Sequence, residues 1–574
     1  MLRWSLAARM SWRSIRQLVR CWSSGARAPL PEGPGFKEFL SGTTATTSAV
    51  PQLETTPYLS HAAAKGLGRN RKVYFDVYGC QMNVNDTEVV WAILKKSGFT
   101  KTEELNEADI VLVMTCAIRE GAETKVWNRL EYLKGLKNAR TRKKSLPAMK
   151  IGIIGCMAER LKERLLERER AVDLVAGPDA YKDLPRLLAL TDNNQTAVNV
   201  LLSSDETYAD VMPVRLNQDS VTAFVSIMRG CDNMCTFCIV PFTRGRERSR
   251  PLSSILEEVR QLSEEGVKEV TLLGQNVNSY RDLSEVHHFG RASTDEETHM
   301  SRGFKTVYRP KRGGLRFADL LEKVSNVNSE MRIRFTSPHP KDFPDEVLHL
   351  IRERPNICNN LHLPAQSGND RVLERMRRGY TRAAYLELVD HVRDVLPGVT
   401  LSSDFICGFC GETEQEFEDT LSLMERVQYH MAFLFPYSLR EKTVAHRKLQ
   451  DDVPSAVKQE RLLAMVGLFR RGALKLNKEQ IGRRQLILVE GRSKRSDQFL
   501  AGRNDGNTKV IIPAYSVPEH RFSRNDKPIV SGDYVVVQIN DASSQVLKGT
   551  PLYHSTLSEF QQLDDYQGSM KLFK

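Results

Sequence analysis

The residues best suited to chemistry in this chain are cysteines. The run Cys231-Asp232-Asn233-Met234-Cys235-Thr236-Phe237-Cys238 sets three thiols within eight residues. Three thiolates that close together can wrap one metal centre. A structural zinc site takes four ligands, and no nearby Cys or His completes one here. A 4Fe–4S cluster also takes four, so three Cys leave one iron open to another molecule. The run follows Ile227-Met228-Arg229-Gly230, the end of an expected strand.

A second set is dispersed. Cys80, Cys116 and Cys156 stand 36 and 40 residues apart, each just after an expected strand. Parallel strands end on one sheet edge, where α/β domains bind their ligands. Three thiols distant in sequence therefore meet there, as a second three-cysteine metal site with an open position. Cys407-Gly408-Phe409-Cys410 lies between a strand and Glu412 at a helix start and reads as packing, as does Cys358.

The elements that must hold these thiols fall into three blocks. Residues 72–195 alternate expected strands (73–78, 110–115, 150–154) with helices (86–96, 120–136, 158–169), which predicts an N-terminal doubly wound α/β domain. Residues 217–470 hold six expected strands, at 223–228, 269–273, 332–336, 360–363, 401–406 and 432–436. Helices between most of them predict a partial (β/α)6 barrel with its chemistry at the carboxyl ends of the strands. One helix is expected to open on a capping box, Ser254 to Glu257. Residues 281–313 read as a polar surface insertion. Residues 480–555 carry five short β-like runs, the pattern of a small C-terminal β-barrel of the oligonucleotide-binding kind.

A chain of 574 residues accommodates three or four domains. Hydrophobic residues at 41% and charged residues at 27% are ordinary globular usage, which excludes collagen and wholesale disorder. Ten Cys are too few for a disulfide framework. No apolar run approaches a membrane span. The net charge of +12 has two sources. Residues 1–31 contain six Arg and no acid, with Arg9, Arg13, Arg16 and Arg20 on one helical face and Trp4, Trp12, Ile15, Val19 and Trp22 on another. That is the pattern of a mitochondrial transit peptide, and residues 32–71 read as a flexible linker. Residues 458–509 hold thirteen Lys/Arg against five Asp/Glu, a basic stretch suited to nucleic acid.

The Cys-x3-Cys-x2-Cys run, with an aromatic before its last Cys and opening a six-fold barrel, resembles the radical S-adenosylmethionine enzymes. The dispersed Cys ahead of it narrow the resemblance to the methylthiotransferases. Tyr78-Gly79-Cys80-Gln81-Met82-Asn83 looks like the MiaB branch. The same branch is suggested by Gly155-Cys156-Met157-Ala158-Glu159-Arg160 and by Arg334-Phe335-Thr336-Ser337-Pro338-His339-Pro340. Leu361-His362-Leu363-Pro364-Ala365-Gln366-Ser367-Gly368 and Asp404-Phe405-Ile406-Cys407-Gly408-Phe409 add to it. The resemblance spans about residues 72–552. It departs at Cys410, where the family usually has Pro, and at Cys407, where an apolar residue is common.

The resemblance implies an activity and its parts. The substrate would be N6-isopentenyladenosine at position 37, the purine 3′ of the anticodon of mitochondrial tRNAs, converted to its 2-methylthio derivative in support of mitochondrial translation. Cys231, Cys235 and Cys238 would hold a 4Fe–4S cluster whose open iron binds S-adenosylmethionine. Its one-electron cleavage would give a radical able to attack a C2–H too weakly acidic for base chemistry. Cys80, Cys116 and Cys156 would hold a second 4Fe–4S cluster that carries the sulfur. Cofactor contacts would map to Gly274, Gln275 and Asn276, and to Asp404, Ile406 and Gly408. The third block would be a TRAM-like barrel in which Arg483, Arg484, Lys494, Arg495 and Arg503 meet RNA phosphates. A reducing electron donor would be a further partner. The alternatives are a sister methylthiotransferase with another substrate, and a regulatory protein that inhibits a kinase-activator subunit. Six intact ligand Cys favour the enzyme.

Overall fold

The computed structural model describes residues 68–562, apart from 118–119, 144–147, 194, 285–302, 306–312 and 342. The expected transit peptide and nearly all of the linker lie outside the described residues, as does most of the expected insertion.

The first domain is a six-stranded parallel sheet. Its strands run in the spatial order Thr100–Lys101, Lys72–Val77, Ile110–Thr115, Lys150–Gly155, Leu174–Ala176, Ala197–Asn199. Side chains alternate across a pleated strand. In the central strand Ile110, Leu112 and Met114 pack into one core, and Val111 and Val113 into another on the opposite face. A strand buried on both faces needs helices on both, which is the doubly wound arrangement. Helix Gln81–Lys96 starts immediately after Cys80, five residues earlier than periodicity predicts. The single helix expected at 158–169 is two short ones, Cys156–Leu161 and Arg164–Arg168, broken where Lys162 adopts φ +55°.

The second domain holds six parallel strands in two three-stranded sheets. Thr222–Ser226, Glu269–Leu273 and Arg332–Phe335 form one, and Asn360–His362, Thr400–Cys407 and Met431–Pro436 the other. A parallel bridge between Ile333 and Ile357 links them. Val270, Leu272, Ile333, Phe335, Leu361, Leu363, Leu401 and Phe405 pack outward against the helices as one core. Alternation turns Glu269, Arg334, His362, Ser402 and Asp404 to the inside, where Arg334 pairs with Glu269 at 2.9 Å. The expected capping box is not formed. Helix Leu252–Glu264 starts two residues before Ser254, because Pro251 fixes the entry. The Ser254 hydroxyl instead donates to the Ala209 carbonyl at 2.6 Å.

The third domain is a closed five-stranded barrel. Arg484–Ser493, Ser496–Arg503, Lys509–Pro513, Val546–His554 and Tyr534–Ala542 are neighbours in that order. It closes the floor of the second domain. Arg332, which opens its strand, donates to the carbonyls of Arg503 and Leu486, both at 2.8 Å. Arg334 donates to Asn504 O at 2.8 Å. These contacts sit at the amino ends of the barrel strands and leave the carboxyl ends to the first domain. Among the described residues no helix is long and apolar enough to cross a membrane.

Candidate active site

Cys80, Cys116 and Cys156 each follow a strand of the first sheet. Cys80 is half-buried and caps helix Gln81–Lys96, Cys116 is buried beyond Thr115, and Cys156 opens helix Cys156–Leu161. Gly79 shows how tightly the first two loops meet. At φ +110°, a Cβ on it would lie 2.6 Å from Cys116 Cβ and 3.3 Å from Cys116 Sγ. Burial raises the Cys80 thiol and pushes the Cys156 thiol up to about 11. Both thiols also feel Cys116, and the Arg244 guanidinium opposes the shift in each.

Cys231, Cys235 and Cys238 lie on the loop leaving the first barrel strand. Gly230 turns it at φ +77°, where any Cβ would strike the Arg246 carbonyl. Thr236 fastens the middle of the loop, its amide to Met376 O at 3.1 Å and its hydroxyl to Arg375 O at 2.8 Å. Burial raises the Cys231 thiol strongly and the Cys238 thiol to about 12, and in both cases neighbouring Cys of the set add to it. None of the six is in a disulfide.

Sets made of three thiols each have the donor chemistry of an iron–sulfur cluster. Among the described residues no group of three His, Cys, Asp or Glu converges closely enough to hold one metal ion. A four-iron cluster instead spreads its thiolates, one to an iron. The two sets also lie at one buried junction. Cys156 and Ala117 of the first domain share a buried cluster with Ile239, the residue after Cys238, and Phe242 packs on it.

A buried ion pair spans this junction. Asp86 Oδ1 accepts from Arg229 Nη1 at 2.7 Å and Oδ2 from Arg244 Nη2 at 2.8 Å. Burial alone would raise the Asp86 carboxyl, but the two guanidiniums outweigh it and hold it below the usual carboxylate range. Removing one partner from such a buried group costs about 3–5 kcal/mol. Nothing in the sequence couples Asp86 to an Arg 158 residues later. Arg378 is equally invisible there: Nη1 donates to Cys235 Sγ at 3.3 Å, Nη2 to Pro364 O at 3.0 Å and Nε to the Tyr380 hydroxyl at 3.1 Å.

The expected cofactor residues divide. Gly274 lets the loop lie against Met228, whose Cγ is 2.6 Å from where a Cβ would be. Gln275 Oε1 is buried with no hydrogen-bond partner among the described residues, the kind of orphaned acceptor a bound ligand satisfies. Asn276 is buried and accepts from the His339 amide at 3.2 Å, so it braces the 337–341 loop. Asp404 lies 3.4 Å from His362 Nε2, whose Nδ1 meets the Ser402 hydroxyl at 2.9 Å. The backbone of Ile406 donates to Gln366 O at 2.9 Å. Gly408, at φ +69°, has the Lys458 side chain where a Cβ would stand, 2.4 Å from its Cγ. Its close approach is thus to protein.

The five basic residues of the third domain do not form one patch. Arg483 and Arg484 are exposed at one end of strand Arg484–Ser493 and line a cavity of about 920 Å³ together with Arg354. Lys494 and Arg495 are exposed at the hairpin tip at its other end, about 30 Å away at about 3.3 Å per residue. Arg503 is engaged internally, with Glu490 at 3.0 Å and Asn507 O at 3.1 Å.

Comparison with known proteins agrees with this architecture. Residues 225–424 match the radical SAM superfamily, residues 72–177 an uncharacterized protein family, UPF0004, and residues 478–552 the TRAM domain. A mouse protein named mitochondrial tRNA methylthiotransferase CDK5RAP1 is 58% identical, over 92% of this chain and 89% of its own. The human protein of that name is 55% identical over 97% of each. A tRNA-2-methylthio-N(6)-dimethylallyladenosine synthase from Chloroherpeton thalassium is 46% identical, over 86% of this chain and 98% of its own. The chain therefore belongs to the radical S-adenosylmethionine tRNA methylthiotransferases, a family that works with S-adenosylmethionine and a 4Fe–4S cluster.

Proposed function

We propose that this chain is a mitochondrial tRNA methylthiotransferase that adds a methylthio group at C2 of N6-isopentenyladenosine 37. The observation that carries the reading is that two three-thiol sets lie at one domain junction, where Cys156 packs with Ile239, the residue after Cys238. Cys231, Cys235 and Cys238 hold the cluster that binds S-adenosylmethionine, and Cys80, Cys116 and Cys156 a second one. When bound, these groups supply hydrogen-atom abstraction and the sulfur to be delivered, chemistry no side chain offers.

The chain's own residues do the rest. Cys116, Cys156, Cys231 and Cys235 are buried and Cys80 and Cys238 half-buried, which limits access of water to both sets. Arg378 steadies the Cys235 sulfur. Gln275 Oε1 gives an acceptor for a donor group of the cofactor, and Asp404 with His362 presents a polar pair inside the barrel. The exposed pairs Arg483/Arg484 and Lys494/Arg495 contact RNA phosphates, which positions the substrate without reading its bases. A reducing partner supplies electrons. The arginine-rich segment 1–31 directs import, as the mitochondrial names of the relatives suggest. No feature among the described residues favours binding of a kinase-activator subunit.

The test is mass spectrometry of mitochondrial tRNA nucleosides from cells with and without this chain. Isopentenyladenosine should accumulate at the expense of its methylthio derivative when the chain is lost. An unchanged ratio would sink the reading.

A further inference from the structure

The network around Asp86 reaches every cysteine loop of both sets. Asp86 is fully buried in the helix that starts after Cys80. Its two oxygens hold Arg229, two residues before Cys231, and Arg244, six residues after Cys238. Both arms of the second domain's cysteine loop thus end on one carboxylate. The Tyr181 hydroxyl donates to the same carboxylate at 3.2 Å.

From Asp86 the network runs into the first domain. Arg244 Nη2 also donates to Asn83 Oδ1 at 3.3 Å. The Asn83 amide nitrogen donates to Tyr78 O at 2.5 Å and to Thr115 O at 3.0 Å, beside Cys80 and Cys116. The Thr115 hydroxyl donates to Ile154 O at 2.8 Å, two residues before Cys156. Arg244 Nη1 is buried and has no partner among the described residues.

We propose that Asp86 and Arg244 form a positioning clamp that fixes the separation of the two cysteine sets. The clamp keeps cofactor cleavage at the one coupled to methylthio delivery at the other. It rests on the function proposed above. A structural ion pair elsewhere would stabilise the fold alone, whereas this one has a geometric output, and small misplacements of reacting groups cost rate steeply.

The experiment uses the reconstituted full chain with both clusters, S-adenosylmethionine and an isopentenylated anticodon stem-loop. Two variants are compared with the parent. Arg244→Lys keeps the charge but loses the planar guanidinium whose Nη2 donates to both Asp86 and Asn83. The double variant Asp86→Asn/Arg244→Gln removes both partners, leaving Arg229 near Glu206. Iron content, deoxyadenosine released, methylthio product, and the magnetic coupling between the two reduced clusters by pulsed electron paramagnetic resonance are measured.

The clamp predicts retained iron in at least one variant and deoxyadenosine release near that of the parent. It also predicts about a tenfold rise in deoxyadenosine per product and a weakened or broadened inter-cluster coupling. An unchanged ratio and coupling in a folded variant would overturn it. So would a parallel fall of both products with coupling intact, or loss of iron from both variants. A parent that releases deoxyadenosine but makes no methylthio product would instead contradict the proposed function.

Discussion

Arg378 donates a hydrogen bond to the sulfur of Cys235 from across 143 residues of sequence. The guanidinium is buried, and its other nitrogens are held by Pro364 O and the Tyr380 hydroxyl, so its position is set before any cluster arrives. Hydrogen bonds to cluster sulfurs stabilise the more reduced, more negative state and raise the potential. Replacing Arg378 with Met should lower the midpoint potential of the cluster at Cys231, Cys235 and Cys238. Loss of a charge-assisted bond of ~1.4 kcal/mol corresponds to about 60 mV for one electron. A redox titration followed by electron paramagnetic resonance reads it, and an unmoved potential with full iron would contradict the role.

Gly79 makes a second prediction. Its φ of +110° and the 2.6 Å clearance to Cys116 Cβ leave no room for a side chain. Gly79→Ala should separate the Cys80 and Cys116 loops at a cost of about 1–3 kcal/mol. Reconstituted protein should then hold about half the iron, with S-adenosylmethionine cleavage retained. Full iron would show that the first set tolerates the displacement.

The two basic pairs of the C-terminal barrel are separable because they sit at opposite ends of one strand. Changing Arg483 and Arg484 to Gln, or Lys494 and Arg495 to Gln, should each weaken tRNA binding. Each should reduce the slope of log affinity against log salt by about one for every phosphate no longer neutralised. Arg503→Gln should leave that slope alone and lower stability instead, because Arg503 is paired with Glu490. A pair whose removal leaves the slope unchanged does not meet phosphate.

Buried carboxyls give the protein a pH signature. Burial raises Glu88, Glu159 and Glu412 to about 7. A carboxyl raised on folding binds its proton more tightly in the native state. The stability it contributes is therefore complete below the usual carboxylate range and is lost as pH rises through about 7. Thermal unfolding should show a lower midpoint at pH 8 than at pH 6. Glu88→Gln should narrow that gap. A parent protein equally stable at both values would rule the effect out.

Much of this is legible in the residues, for identifiable reasons. The unbroken apolar run at 110–114 places a buried parallel strand, and 269–273 and 401–406, which mix polar with apolar residues, read as strands because helical stretches flank them. Once strands are parallel, residues that follow them share an edge, which is why Cys80, Cys116 and Cys156 can be grouped. What escapes is set by tertiary structure. Helix Gln81–Lys96 begins early because its first turns carry buried polar residues, Asn83, Asn85 and Asp86, which read as a loop until their partners are known. Arg378 and Arg244 sit among many arginines, and only the fold tells them from surface charge. Ser254 has the right spacing to Glu257 for a cap, and Pro251 overrides it.

The central claim is that the two cysteine sets do different work, and one pair of triple variants tests it most directly. Replacing Cys231, Cys235 and Cys238 with Ala should halve the iron of the reconstituted chain and abolish cleavage of S-adenosylmethionine. Replacing Cys80, Cys116 and Cys156 should halve it as well, but cleavage should persist while methylthio product disappears. If the first variant still cleaved S-adenosylmethionine, or the second still made product, the division of labour between the two sets would be wrong.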